Sequence, residues 1–545
     1  MLDRTTPIVA NYSVPARASA YEQAHAMQGW PWIALVMAVI AGLAALACGS
    51  LGWLAGDAVI HLVFAEHALS GHWFEFNAGM PSGGETSPLY MLFVMTLYAV
   101  FGPMTAPYAL QLGCLAAWAA LLLAVWRLAR LFGADPRWAL LLVAMAGLMP
   151  GSARNAVLGM ENVYFATGLL WWLCIAVANR WFERTLSWRT EAGYGLLAGV
   201  LACLRPEGVV IVAVLMTARA WNLGFGKAWT RWIAAGAIAA ALFGAQSYAY
   251  WILTGGQLPF AGGMARHSLS AAQGWEVAGL SVNVKILLRW MAYWPLGLLL
   301  AAACFQMTAK ERIDGDIPPG PRRAAWAMIA VVAFSTLFFM TIFPSEHLAR
   351  YTIYYWPLAI LAGWVGAGPL LARLWRDGGW RRALVWGTVA MLFAVYAIEA
   401  TIRESTLMLG HPLRDVSKAH QFRTSATDKL LADLDMPAAT VKNPAVVGLV
   451  EVQRRYWWDE RVQVASLDGI VDNRLRPFVH HGFYDHLGYA KAVGMTHIAA
   501  FPNLNRDPHD FSLADLEPLE AGESIVRDGL RLKKLARGAL QITPD

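Results

Sequence analysis

The chain has 545 residues, of which 57% are hydrophobic and only 15% charged, with a mean hydropathy of +0.43. That balance excludes an ordinary soluble protein of this length and predicts a polytopic α-helical membrane protein. The net charge of +6 and pI near 9.0 do not point to nucleic acid, because the basic residues gather in short loops between apolar runs, as positive-inside bias requires.

Residues 1–30 are polar, carry Arg4 and Arg17, and precede an apolar run longer than a signal-peptide core. They read as a cytoplasmic tail before an uncleaved first span at 32–53. The first outer loop, 54–88, opens with Asp57, a carboxylate that is costly to hold near lipid unless it has a job or a partner. Ala58, Ile60, Leu62, Phe64, Ala65, Ala68 and Leu69 then recur on one helical face, with His61, Glu66, His67 and Ser70 largely on the other. The pattern predicts a helix lying on the membrane surface. The Gly- and Pro-rich segment that follows, with Glu85 in it, must be buried in protein or line a wet cavity.

The run 88–131 is interrupted at Gly102-Pro103. Either it crosses an odd number of times with part of it re-entrant, or Arg127, Arg130 and Arg137 break the charge rule. Runs 138–149 and 164–178 flank an outer turn bearing Arg154, Glu161 and Asn162, and Arg180, Arg184 and Arg189 mark the inside. Two short runs then meet at Arg205-Pro206-Glu207-Gly208, where an Arg and a Glu at a broken helix need a polar cavity, each other, or both.

Run 234–253 leads to a second long outer loop, 254–283, which holds Arg266 and His267. After 286–306 and a basic inner loop, spans 324–343 and 353–371 enclose an outer turn with Glu346, His347 and Arg350, and a last span lies near 384–402. Spanning length gives about eleven crossings within a membrane module of residues 31–402. Residues 403–545 change to the composition of a soluble α/β domain on the periplasmic side, with strands at 446–450 and 462–467 and helices at 426–434 and 483–493. All five cysteines lie in apolar runs, so no disulfide framework or thiolate metal site is expected.

The polar clusters around Asp57, Glu161, Arg205, Arg266 and Arg350 all fall on one side of the membrane, as the groups of a single site would. Each pair alone also reads as an interfacial ion pair or helix cap of little energetic weight, and Glu207 can simply neutralise Arg205. His61 and His67 read as interfacial and Glu66 as solvated. His480 and His481, with Asp485 and His486, do not make a metal site, since adjacent strand residues face opposite ways. No phosphate-binding loop, dinucleotide fingerprint or zinc-hydrolase motif is present, so an enzyme here would need an already activated donor.

Asp57-Ala58-Val59-Ile60, Asn77-Ala78-Gly79, Gly84-Glu85-Thr86-Ser87-Pro88-Leu89, Gly159-Met160-Glu161-Asn162, Arg205-Pro206-Glu207-Gly208, Gly256-Gln257-Leu258-Pro259 and Arg350-Tyr351 occur in this order. The chain thereby resembles the GT-C glycosyltransferases, in particular the bacterial branch that includes the actinobacterial cell-wall arabinofuranosyltransferases. Gly56 stands where that branch usually has a first acid, and Val63 where it often has an Arg. Asp57 is then the sole acid at the turn, which argues against a metal-assisted version.

The resemblance implies transfer of a sugar, such as a pentofuranose, from a polyprenyl-phosphate donor to a glycan, glycolipid or protein acceptor at the periplasmic face of the cytoplasmic membrane. It makes Asp57 the general base of an inverting displacement. Arg205, Arg350 and Arg266 would neutralise the leaving phosphate, and His61, Glu161, Glu207, Glu85 and His267 would bind sugar hydroxyls or orient the arginines. No nucleotide, metal or other cofactor is required. The competing readings are a transporter or flippase for a lipid-linked glycan, which would carry paired charges at both faces and mid-membrane, and a non-catalytic envelope-assembly protein.

Overall fold

The computed structural model describes residues 51–148, 152–259, 319–341, 348–376, 379, 414–416, 419–449, 452–467, 473–480, 483–498, 519–535 and 539–545. Strand β1 (Trp53–Leu54) leads into α1 (Gly56–Leu69), the hairpin β2 (Glu75–Asn77) and β3 (Met80–Pro81), and then the bundle. Its helices are α2 (Pro88–Leu131), α3 (Pro136–Gly147), the short α4 (Ser152–Asn155), α5 (Asn162–Ala178), α6 (Trp188–Leu204), α7 (Pro206–Leu223), α8 (Phe225–Leu253), α9 (Pro319–Thr341) and α10 (Leu348–Arg376). Among the described residues, Pro88–Leu131 and Trp229–Leu253 are long and apolar enough to cross a bilayer by themselves. The expected spans at 32–53, 286–306 and 384–402 lie outside the described residues.

Helix α2 covers the whole of 88–131 with one break. Gly102 interrupts it with φ +73° and ψ +169°, a conformation open to glycine and reinforced by Pro103, which disfavours helical geometry in the residue before it. The arm before the kink exposes Leu92, Phe93, Val100 and Phe101, while Tyr98 turns inward. After the kink the helix runs on unbroken to Leu131, and Arg127 lies over the Trp171 ring of α5, 5.6 Å from its centroid.

The C-terminal domain consists of β4 (Arg414–Asp415), α11 (Ala419–Asp433), β5 (Ala445–Leu449), β6 (Val462–Ser466), the hairpin β7 (Val479–His480) and β8 (Phe483–Tyr484), α12 (His486–Val493), β9 (His497–Ile498), β10 (Ser524–Arg527), β11 (Leu530–Lys534) and β12 (Leu540–Pro544). Six strands form one mixed sheet in the order β10-β11-β12-β9-β5-β6, in which β5 runs parallel to both β6 and β9. Period-two alternation sends Ala445, Val447 and Leu449 to the face that packs toward α11, and Val446 to the face covered by α12. The two strands and two helices expected here are present, β5 and β6 within one residue of their expected ends. His486 is bound to the Leu467 carbonyl at 2.8 Å and Asp485 caps α12 through Gly488 N–H, so their side chains serve the fold.

The surface-helix expectation for α1 is corrected. Ten of its fourteen residues are buried, His61 and His67 among them. They share one apolar core with β5, β6 and α11. The helix is sandwiched between the bundle and the C-terminal domain, so its polar residues meet protein partners instead of solvent. β1 pairs with β4, and Asn77 closes the free edge of β6 by donating to the Val464 carbonyl and accepting from its N–H, both at 2.9 Å.

Candidate active site

Several chain ends gather where the bundle meets the C-terminal domain. Ala55 N–H donates to Leu158 O, Ser87 Oγ to Leu204 O at 2.7 Å, and Tyr90 Oη to Gly159 O at 2.7 Å. Gly159 has φ +74°, and a Cβ there would meet Leu54 Cδ2 at 2.6 Å. Only glycine lets this turn lie against the start of α1. These bonds bring the beginnings of α1, α2, α5 and α7 to one place.

A buried polar chain threads that junction. His61 Nδ1 lies 2.9 Å from Glu85 Oε2, and His61 Nε2 lies 3.3 Å from Glu161 Oε2. Glu161 Oε1 pairs with Arg205, whose guanidinium also donates to Asn162 Oδ1. The same guanidinium binds Glu207 in a fork of 2.7 and 3.2 Å. Glu85 is further held by Ser87 N–H at 2.8 Å, and its own N–H reaches Tyr250 Oη, which donates to the Ser82 carbonyl at 2.6 Å. His61, Glu85, Glu161, Asn162 and Arg205 are each no more than 6% exposed. Charges this deep persist only when paired and hydrogen-bonded.

Electrostatics follow from that geometry. Burial alone would lower the His61 imidazole, but Glu85 and Glu161 outweigh it and raise the pKa to about 10. Burial alone would raise the Glu161 carboxyl, but Arg205 and His61 outweigh it and lower the pKa to about 2. His61 is therefore a cation clasped by two carboxylates, with each ring nitrogen facing a different one. That arrangement offers no lone pair to a metal, and among the described residues no group of three or more His, Cys, Asp or Glu side chains is arranged to hold one.

Asp57 lies in the first turn of α1, one helical turn before His61 and on the same face, where the helix dipole favours a negative charge. Arg350 lies in the first turn of α10. That helix begins at the same end of the bundle, because Tyr354 packs edge-on against Phe165, four residues after Glu161, with centroids 5.1 Å apart. Arg266 and His267 lie outside the described residues. Arg205 sits between two carboxylates, so a phosphate reaching it would have to compete with Glu161 and Glu207. The sequence reading missed Tyr250 and Tyr90, whose hydroxyls tie the loops together. No local pattern marks them, since their partners are backbone groups distant in sequence.

An apolar groove of about 530 Å³ runs between α7 and α9, lined by Val209, Ala213, Thr217, Trp221 and Phe334 among others. It starts two residues after Glu207 and follows α7 for roughly 18 Å at 1.5 Å per residue. At the far end of the bundle a second buried pair, Glu191 with Arg219, is closed by Trp181, whose ring lies 4.5 Å from the guanidinium carbon and whose indole N–H donates to Glu191 at 3.1 Å.

The fold is thus a helical bundle with a buried polar junction under a C-terminal mixed-sheet domain. Among solved structures, ArnT from Cupriavidus metallidurans bound to undecaprenyl phosphate shares it at 15% identity, over 94% of this chain and 98% of that one, with a TM-score of 0.52. Its apo state matches over the same shares at 15% identity and a TM-score of 0.50. The archaeal oligosaccharyltransferase AglB from Archaeoglobus fulgidus, solved with an inhibitory peptide and a dolichol-phosphate, aligns at 11% identity over 94% of this chain and 74% of its own, with a TM-score of 0.44. No family model and no curated protein matches the sequence.

Proposed function

We propose that this chain is a membrane glycosyltransferase that moves a sugar, such as a pentofuranose, from a polyprenyl-phosphate donor to an acceptor hydroxyl at the periplasmic face of the inner membrane. The observation that carries the reading is the position of Asp57. It stands in the first turn of a mostly buried helix, one turn before His61 of the charged junction, and an apolar groove suited to an isoprenoid tail begins two residues after Glu207 of the same junction. The fold shared with ArnT, solved with undecaprenyl phosphate, agrees with a lipid-phosphate ligand.

Asp57 takes the proton of the acceptor hydroxyl as that oxygen bonds to the anomeric carbon. The bond from that carbon to the phosphate oxygen breaks, and polyprenyl phosphate leaves with the electron pair. One displacement inverts the anomeric centre. Arg350 and Arg266 neutralise the phosphate, and His267 binds sugar hydroxyls or orients the arginines. Arg205 instead shares its charge between Glu161 and Glu207, and with His61 and Glu85 it fixes the walls of the pocket. The Glu191–Arg219 pair is sealed by Trp181, so it staples the far end of the bundle and is no half of a transport path.

The test is transfer by the full chain in lipid nanodiscs, using labelled polyprenyl-phosphate sugars and a panel of glycan acceptors. The wild type should release polyprenyl phosphate. Asp57→Asn should lose about 10²–10⁴-fold in turnover while keeping donor binding and its thermal unfolding midpoint. Full turnover by that variant, or no release from any donor by the wild type, overturns the reading.

A further inference from the structure

Glu66, which the transfer chemistry leaves unused, lies on the face of α1 away from Asp57. It is nine positions further on, and nine steps of 100° amount to two and a half turns. The two carboxylates therefore point to opposite sides of α1. On the Asp57 side the helix is held by His61. On the other side Glu66 forms a two-pronged pair with Arg423 of α11, at 2.6 and 3.0 Å.

Arg423 is itself fixed. Its Nε and Nη2 donate to the Tyr456 carbonyl at 3.1 and 2.9 Å, and its guanidinium lies 5.3 Å from the Tyr456 ring centroid. The Tyr456 hydroxyl meets Tyr98 of α2 at 2.5 Å. At the residue after Glu66, the His67 Nδ1–H donates to the Glu75 carbonyl at 2.8 Å, and its Nε2 lies 3.4 Å from Glu460, which Arg455 also holds at 2.9 Å. Burial alone would raise the Glu66 carboxyl, but Arg423 outweighs it and keeps the group ionised.

Apolar packing is non-directional and leaves a small helix free to roll or slide by fractions of a turn. A forked carboxylate–guanidinium pair does not. We propose that Glu66 and Arg423 are positioning residues that fix the rotation and depth of α1, and so the place of Asp57, making the C-terminal domain a working part of the transfer site. This rests on Asp57 being the base.

The experiment measures kcat, donor KM, donor binding and thermal unfolding for the full chain in nanodiscs carrying Glu66→Gln, Glu66→Ala or Arg423→Lys. Lysine keeps the charge and loses the fork. Displacement of a reacting group by about 1 Å costs on the order of 10²-fold in rate. We therefore expect kcat to fall about 10-fold in Glu66→Gln and Arg423→Lys and about 100-fold in Glu66→Ala, by the same proximity argument. Donor KM and donor binding should stay within about twofold, since the clamp touches neither tail nor phosphate. Full kcat in these variants overturns the proposal, and so does a parallel fall of kcat, donor binding and thermal stability. Asp57→Asn is measured beside them. If it keeps turnover, the base assignment fails; if it is inactive while Glu66→Ala runs at full rate, only the clamp fails.

Discussion

Arg205→Met removes the cation that Glu161 and Glu207 share while keeping an apolar stem like that of arginine. At an effective dielectric of about 20, each contact at roughly 4 Å between charge centres is worth about 4 kcal/mol before desolvation. Desolvation offsets part of this, and stripping one partner from a buried pair costs about 3–5 kcal/mol net. Arg205 makes four hydrogen bonds to Glu161, Asn162 and Glu207 and is 6% exposed, so the upper part of that range applies. The assay is reversible denaturation in detergent, run as a cycle with Glu161→Gln. Neutralising Glu161 in the Arg205→Met background should recover about 1–3 kcal/mol, the coupling expected of groups in direct contact. A variant that loses under about 1 kcal/mol, shows no coupling to Glu161, and instead binds donor at least tenfold more weakly would refute the argument. Arg205 would then be a phosphate ligand, as the resemblance implied.

The junction also predicts a pH signature. His61, raised from 6.5 to about 10, contributes stability that is complete below pH 6.5 and lost as pH climbs through about 10; Glu161, lowered from 4.5 to about 2, contributes stability present above pH 4.5 and lost as pH falls through about 2. Unfolding midpoints should therefore peak between pH 4.5 and 6.5 and decline on the alkaline side, and His61→Gln should flatten that decline; an unchanged alkaline slope in the variant counts against the pairing. For the groove, Ala213→Trp places a large ring between α7 and α9. Excluding about two methylenes of tail, at about 0.8 kcal/mol each, should raise KM for a long-chain donor about 10-fold and leave a short-chain analogue unaffected. Equal effects on both donors would remove the tail from this groove.

Much of the architecture was legible because it is written in local terms. Apolar runs and their breaks mark the bundle, a continuous apolar run marks the buried β5, and Arg205-Pro206-Glu207 marks a helix break with its own counter-charge. Gly102-Pro103 marked a disruption, yet only the course of α2 showed that it is a kink within one helix. Helix α1 went the other way. Its pattern of apolar and polar positions has the period of a surface helix, but periodicity reports which side chains differ in polarity and not what they face. Arg423, Tyr456 and Glu460, which turn its polar side into an interior one, lie more than 350 residues further along.

Sequence by itself therefore determined an apolar helical bundle with a C-terminal sheet domain, and that its acids and bases cluster at loop ends, since hydropathy, periodicity and helix-breaking residues act within a few turns of chain. Tertiary structure alone decided who pairs with whom. It gave His61 to Glu85 and Glu161, Arg205 to Glu161 and Glu207, and Glu66 to Arg423. The physical reason is that an ion pair depends on distance in space, and no residue's identity encodes which distant segment will be folded within 3 Å of it.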